Sequence, residues 1–294
     1  MLTAEQRAMA VDVRHFFHQP TGTLSYVVSD PQSSRAAIVD PVLDFCIVSG
    51  RTGTESADAI VAYARERGLE LDWILETHAH ADHLSAAQYI KSKLGGAVAI
   101  GEGIRQVQRH FAAVFNLKPP FAADGREFDR LFKDGETFDV GSVEGRVLET
   151  AGHTSDSVTY LIGGAAFVGD SLFMPDVGTG RCDFPGGDAS LLYESIRKLF
   201  ALPADTVLYM CHDYPPDGRD VRAAVSIAEQ KADNIHVGGA RSREEFVSMR
   251  EARDSTLALP ELILPSIQVN IRAGELPRAE DNGVSYIKIP LDHI

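Results

Sequence analysis

Cysteine is scarce in this chain: Cys46, Cys182 and Cys211 are the only three among 294 residues. Three scattered thiols cannot make a disulfide framework, so a reducing cytoplasm is the expected setting. No apolar run approaches the roughly 20 residues of a membrane span, and Met1-Leu2-Thr3-Ala4-Glu5-Gln6-Arg7 lacks the apolar core of a secretory signal. Positive charge is short too. Lys and Arg number 28 against 42 Asp and Glu, a formal net charge of −14. A surface this acidic repels phosphate backbones and argues against a nucleic-acid partner. Repeats and low-complexity tracts are missing as well.

The chain does have enough apolar residues, 44% of its length, to bury a large core. It also has one unusual run, Thr77-His78-Ala79-His80-Ala81-Asp82-His83. Three histidines and a carboxylate within six residues suit a metal far better than a solvated turn. The apolar Leu71–Leu75 before it reads as a buried strand, and Leu84–Leu94 after it has helical spacing. The run is therefore a strand-to-helix loop, able to wrap one or two ions.

Three further apolar runs end on a ligand-type residue. Val143–Leu148 leads to His153, Ala165–Gly169 to Asp170, and Thr206–Cys211 to His212. Each alone reads more often as a satisfied histidine or a turn aspartate. Together they place donors at strand ends along one sheet edge, where α/β folds build sites.

Between these motifs, Leu24–Ser29 and Ala36–Asp40 read as paired strands, and Ser56–Arg67 as a helix stopped by Gly68. Ala97–Ile100 is a short strand. Glu102–Phe115, Asp188–Leu202 and Arg241–Leu257 are expected helices. Lys118–Asp134 reads as an irregular insertion, and Ile263–Ile294 as extended and turn-rich. The expected organisation is a catalytic domain over 1–262, with 263–294 as a C-terminal extension packed on it.

The order His-x-His-x-Asp-His, lone His, lone Asp, final His resembles the metallo-β-lactamase superfamily. The likeness extends from about Val13 to Asn270. It implies an α/β fold, an αββα sandwich of two mixed sheets flanked by helices with the metal at one edge. Within that superfamily, other stretches resemble the bacterial persulfide dioxygenases, relatives of glyoxalase II. They are His15-Phe16-Phe17 with Gly22-Thr23-Leu24-Ser25-Tyr26, Ile38-Val39-Asp40-Pro41-Val42, and Gly178-Thr179-Gly180-Arg181-Cys182-Asp183-Phe184. His212-Asp213-Tyr214 and Asn270-Ile271-Arg272-Ala273-Gly274 complete the series. Two features depart from that pattern: the longer Lys118–Asp134 insertion, and Ala273 where some members have cysteine.

The resemblance implies that His78, His153 and Asp170 hold one Fe(II) per chain, a two-histidine, one-carboxylate face with open positions for substrate and O2. His80, Asp82, His83 and His212 would orient those ligands and nearby waters. Tyr214 would donate a hydrogen bond at the reacting centre. Arg181 and Arg272 would bind the carboxylates of glutathione persulfide through their planar forks, though an ion pair of Arg181 with Asp176 or Asp183 fits that residue as well. Sulfite and glutathione would be the products, and a homodimer is the default assembly. The rival enzyme is a two-metal glutathione thioester hydrolase like glyoxalase II, with all seven residues as ligands and Asp170 bridging. A structural zinc protein fits less well, since such sites close four tight ligands, often with cysteine.

Overall fold

Strand β2 (Thr23–Ser29) is buried along its whole length because its two faces meet two different cores. Leu24, Tyr26 and Val28 enter one apolar cluster and Val27 the other, as the two-residue repeat of a strand requires. β3 (Arg35–Val39) divides in the same way, with Ala37 and Val39 on one side and Ala36 and Ile38 on the other. The structure is a computed structural model and describes residues 11–293.

Both strands belong to a six-stranded sheet ordered β1 (Asp12–His18), β2, β3, β6 (Glu70–Leu75), β8 (Ala97–Gly101), β9 (Arg130–Phe132). The first three run antiparallel, and β3, β6, β8 and β9 are parallel neighbours. Parallel neighbours need long crossovers. Helices α1 (Glu55–Glu66), α2 (Ala87–Leu94) and α3 (Ile104–Val114) lie in those crossovers. They cover the outer face, where Ile60, Ile90 and Phe111 join Ile38, Ile74 and Val98.

The second sheet runs β10 (Thr137–Val140), β11 (Val143–Glu149), β12 (Val158–Ile162), β13 (Ala165–Phe167), β14 (Val207–Tyr209), β15 (Ala224–Ser226). Only β13 and β14 are parallel. Val147, Tyr160 and Phe167 share a cluster with Leu24, Tyr26 and Val28, which closes the sandwich. The Tyr26 and Phe167 rings meet edge to face at 5.2 Å. Helix α4 (Ala189–Phe200) adds Leu192, Ile196 and Leu199 to that cluster, and α6 (Arg243–Asp254) adds Phe246. Each such buried side chain contributes roughly 1.5–3 kcal/mol over an exposed one. The architecture is the expected α/β sandwich of two mixed sheets flanked by helices.

At one edge the two sheets are laced together. The start of β2 bridges to the segment after β14, with Thr23 opposite His212. Leu24 N donates to Cys211 O at 2.7 Å and Asp213 N to Gly22 O at 3.0 Å. The ends of β6, β11, β13 and β14 reach this edge.

Three expectations need correction. Ile263–Asn270 is not extended but a buried helix, α7, following the short α5 (Ile227–Asp233) and α6 in chain order. Lys118–Asp134 is irregular only up to β9, which adds a strand to the first sheet. The helix expected from Leu84 begins at Ala87, because Leu84–Ser85 forms a short strand, β7, against β4 (Val42–Cys46). β4 also pairs with β5 (Arg51–Gly53) as a hairpin beside the site. No helix among the described residues is long and apolar enough to cross a membrane.

Candidate metal centre

The loop after β6 is held by three residues from elsewhere in the chain. Asp40, at the end of β3, accepts hydrogen bonds from Thr77 N at 2.7 Å and Thr77 Oγ1 at 2.9 Å. It does so with φ at +48°, a left-handed conformation that aspartate tolerates better than most residues. Asp156 accepts from Ala79 N at 2.8 Å. Asn270, the last residue of α7, donates from Nδ2 to both His80 O and His83 O at 2.8 Å. Its Oδ1 accepts from Ser85 N.

These contacts and others fix the histidine rings. Thr77 Oγ1 gives its proton to Asp40, so it accepts from His78 Nδ1 at 3.0 Å. His80 Nε2 lies 3.0 Å from Asp40 and 3.3 Å from Glu76. His83 Nδ1 faces Asp82 at 3.3 Å, and His212 Nδ1 faces Thr23 Oγ1 at 3.4 Å. His153 Nδ1 donates to Arg181 O at 2.7 Å. In each ring one nitrogen is engaged by the protein and the other faces inward. The inward atoms His78 Nε2, His80 Nδ1, His83 Nε2 and His212 Nε2 are buried without a hydrogen-bond partner among the described residues, as is Asp170 Oδ1. Five orphaned donor-type atoms at one spot would be costly in a protein core. They fit a metal, whose histidine ligands characteristically have the second nitrogen hydrogen-bonded.

The donors fall into two groups whose atoms lie within 4.8 Å of one another. One is His78, His153 and Asp170. The other is His80, Asp82, His83 and His212. The groups adjoin, since His212 Nε2 is 3.4 Å from Asp170 Oδ1. Thus all seven residues singled out by the sequence converge on this edge. Electrostatics divides the rings: burial is outweighed by Asp40 at His80 and by Asp82 and Asp170 at His212, which holds both well above the ordinary histidine value. Burial, with His80 and His153 close by, holds His78 well below the usual histidine range, in its neutral, electron-donating form. Burial and His80 push His83 down to about 4. Burial opposes ionisation of Asp82, but His212 and His83 outweigh it and keep the carboxyl well below its ordinary value.

The loop Gly178–Phe184 supports the first group from beneath. Gly180 packs so tightly that a Cβ there would lie 2.1 Å from Asp170 O. Below the loop, His236 accepts from Thr179 N at 3.0 Å, Asp254 accepts from Cys182 N at 2.8 Å, and the buried Arg250 donates to Thr179 O at 3.2 Å.

The remaining sequence candidates stand further out. Arg181 pairs with both oxygens of Asp183 at 2.6 Å and donates to Ala258 O. Arg272 lies half-buried over the Phe121 ring, with no carboxylate paired to it among the described residues. Tyr214 stacks flat on His212 at 5.5 Å, its hydroxyl without a partner among the described residues. A cavity of about 670 Å³ reaches Asp82 and His83. His18, Thr21 and Arg51 line it, whereas Arg181, Arg272 and Tyr214 do not. Sequence reasoning missed Asp40, Glu76, Thr23, His18 and Arg51 as parts of the site. The first three lie in or beside quoted motifs, but nothing in their spacing announces a buried contact. Burial pushes the Cys211 and Cys182 thiols up, which leaves them protonated core residues.

Residues 19–212 match the model of the metallo-beta-lactamase superfamily, and the chain belongs to that superfamily. A Burkholderia pseudomallei protein named as a probable metallo-hydrolase is 51% identical over 292 residues, covering 96% of this chain and 99% of its own. The protein named Glyoxylase B2 of Dictyostelium discoideum is 50% identical, covering 93% of this chain and 94% of its own. The human mitochondrial persulfide dioxygenase ETHE1 is 29% identical, covering 89% of this chain and 88% of its own. The crystal structure of ETHE1 from Myxococcus xanthus superposes with a TM-score of 0.71 at 32% identity, over 90% of this chain and all of that one. The suspected class is thereby supported at the level of superfamily and fold.

Proposed function

We propose that this chain is a non-haem Fe(II) dioxygenase that oxidises glutathione persulfide to sulfite and glutathione. The observation that carries the reading is the trio His78, His153 and Asp170, whose donor atoms lie within 4.8 Å of one another. Two histidines and one carboxylate on one face are the donor set of non-haem iron oxygenases. Bound there, iron would supply a route for electrons from sulfur to O2. The chain's own residues do the rest. Thr77 and the Arg181 carbonyl hold His78 and His153 in the tautomers that aim Nε2 inward. Asp40 and Glu76 anchor His80, and the cavity at Asp82 and His83 admits a small molecule. In this reading His80, Asp82, His83 and His212 position waters and ligands, Tyr214 donates to the reacting centre, and Arg272 attracts the substrate's carboxylates, while Arg181, expected to share that task, is taken up by Asp183 and braces the loop. The likeness to the persulfide dioxygenases supports the choice.

A second reading rests on a specific observation of its own. His80, Asp82, His83 and His212 form a complete four-donor group, enough for a second ion beside the first. Two ions would suit a thioester hydrolase, and the 50% identity to Glyoxylase B2 favours it. Metal content of anaerobically purified protein, coupled to oxygen uptake on glutathione persulfide, separates the two. About one iron per chain with oxygen consumption and sulfite formation supports the dioxygenase. Nearly two metals, no oxygen uptake and thioester cleavage would replace it with the hydrolase.

A further inference from the structure

We propose that His18, Thr21 and Thr23 form a proton relay leading from the buried donor cluster to the partly exposed Asp44 carboxylate. The proposal rests on the reading above only in needing a reaction that releases protons. One persulfide, one O2 and one water give one thiol, one sulfite dianion and two protons. The sulfane sulfur loses four electrons and O2 gains them. Those protons form in a buried site and need a route to water.

The side chains make a continuous chain of contacts. Thr23 Oγ1 lies 3.4 Å from His83 Nδ1, 3.4 Å from His212 Nδ1 and 3.5 Å from Asp82 Oδ2. No other hydroxyl among the described residues contacts all three. Thr23 Oγ1 then meets Thr21 Oγ1 at 2.7 Å, and Thr21 Oγ1 meets His18 Nδ1 at 2.7 Å. His18 Nε2 faces Asp44 at 3.4 Å, and Asp44 is partly exposed. Hydroxyls can accept one proton while giving up another, so each link passes charge without moving heavy atoms.

His18 is well placed as the outer end. It lines the 670 Å³ cavity and also a second one of about 330 Å³, bounded by Arg14, His15, Phe16 and Ser56. Thr21 and Asp44 line the first cavity, so the relay runs along its wall, and the His18 ring at its outer end also borders the second groove. The Asp44 carboxylate selects the Nε2–H tautomer, which leaves Nδ1 free to accept from Thr21. A proton entering at Nδ1 lets the one on Nε2 leave to Asp44 and then to water, and loss of the Nδ1 proton to water with return of one to Nε2 restores the starting tautomer. Burial holds His18 below the usual histidine range against the opposing pull of Asp44 and Asp82, so the ring is neutral and ready to accept. Arg51 and Glu55 share the cavity wall, and Arg14 and His15 share the strand.

The test compares His18→Gln, Thr21→Val and Thr21→Ser holoenzymes with wild type, by oxygen uptake on glutathione persulfide in H2O and D2O. Expected are a kcat at least about tenfold lower in His18→Gln and Thr21→Val, unchanged KM and metal content, and a larger solvent isotope effect. Thr21→Ser, which keeps the hydroxyl, should retain the wild-type rate. Wild-type kcat and isotope effect in the first two variants would overturn the relay, and so would a Thr21→Ser as slow as Thr21→Val. Wild-type uptake tests the dioxygenase reading independently. If the wild type cleaves a glutathione thioester instead, the oxidative reading falls and the same comparison is made on that hydrolysis, which also releases a proton.

Discussion

The carbonyl oxygen of Arg181 accepts a 2.7 Å hydrogen bond from His153 Nδ1, while the side chain of Arg181 turns away to Asp183 and Ala258. The residue touches the metal group through its backbone, and its guanidinium braces the loop that presents that carbonyl. Arg181→Ala should therefore release the loop, costing about 1–2 kcal/mol for the lost charge-assisted pair and weakening metal retention. Metal per chain and KM, measured on the same preparation, check this. Full metal content with a raised KM would instead give the side chain to the substrate.

The two donor groups predict different losses. His78→Ala, His153→Ala and Asp170→Ala each delete a bond to the first ion, so each should strip metal and activity. His83→Ala and His212→Ala remove donors of the second group only. With one iron bound, they should keep the metal and lose rate. With two ions bound, they should lose about half the metal. Elemental analysis of the five proteins decides between these patterns.

Much of this site was legible because its chemistry sits in sequence-local signals. The His78–His83 run and three strands ending on donors announce themselves without a structure. α7 did not, since Ile263-Leu264-Pro265-Ser266-Ile267-Gln268-Val269 is buried nearly all round and so shows no helical stripe. Its Pro265 also reads as a breaker, yet it occupies the first turn, where a missing N–H costs nothing. The supports were hidden for another reason. Asp40 and His80 are 40 residues apart, and Asn270 and His80 are 190 apart. Only the closing of the sandwich brings them together.

His236 offers a pH signature away from the metal groups. Burial, aided by Arg250, Arg253 and Arg241, pushes it down to about 4 from an ordinary 6.5. Its Nδ1 accepts from Thr179 N, a bond only the unprotonated nitrogen can make. The unfolded chain thus binds this proton first, between pH 6.5 and 4, and stability falls as pH drops through that window. Above 6.5 the contribution is complete. His236→Asn keeps an acceptor and removes the titration, so its urea midpoint should fall less than that of wild type between pH 7 and pH 5. Parallel slopes would show that His236 carries no such linkage.

Asn270 ties the C-terminal helix to the ligand loop with three hydrogen bonds, and it is 4% exposed. Asn270→Ala leaves two carbonyls and one N–H buried without partners, which should cost at least about 2 kcal/mol. Asn270→Asp is the sharper test. It preserves size and the acceptor for Ser85 N, but it sets a carboxylate oxygen against His80 O and His83 O, where an N–H donor is required. If Asn270 acts by fixing the loop, Asn270→Asp should bind metal more weakly and melt lower than wild type despite being nearly isosteric. A wild-type melting temperature and metal content in Asn270→Asp would mean that the loop is held without it.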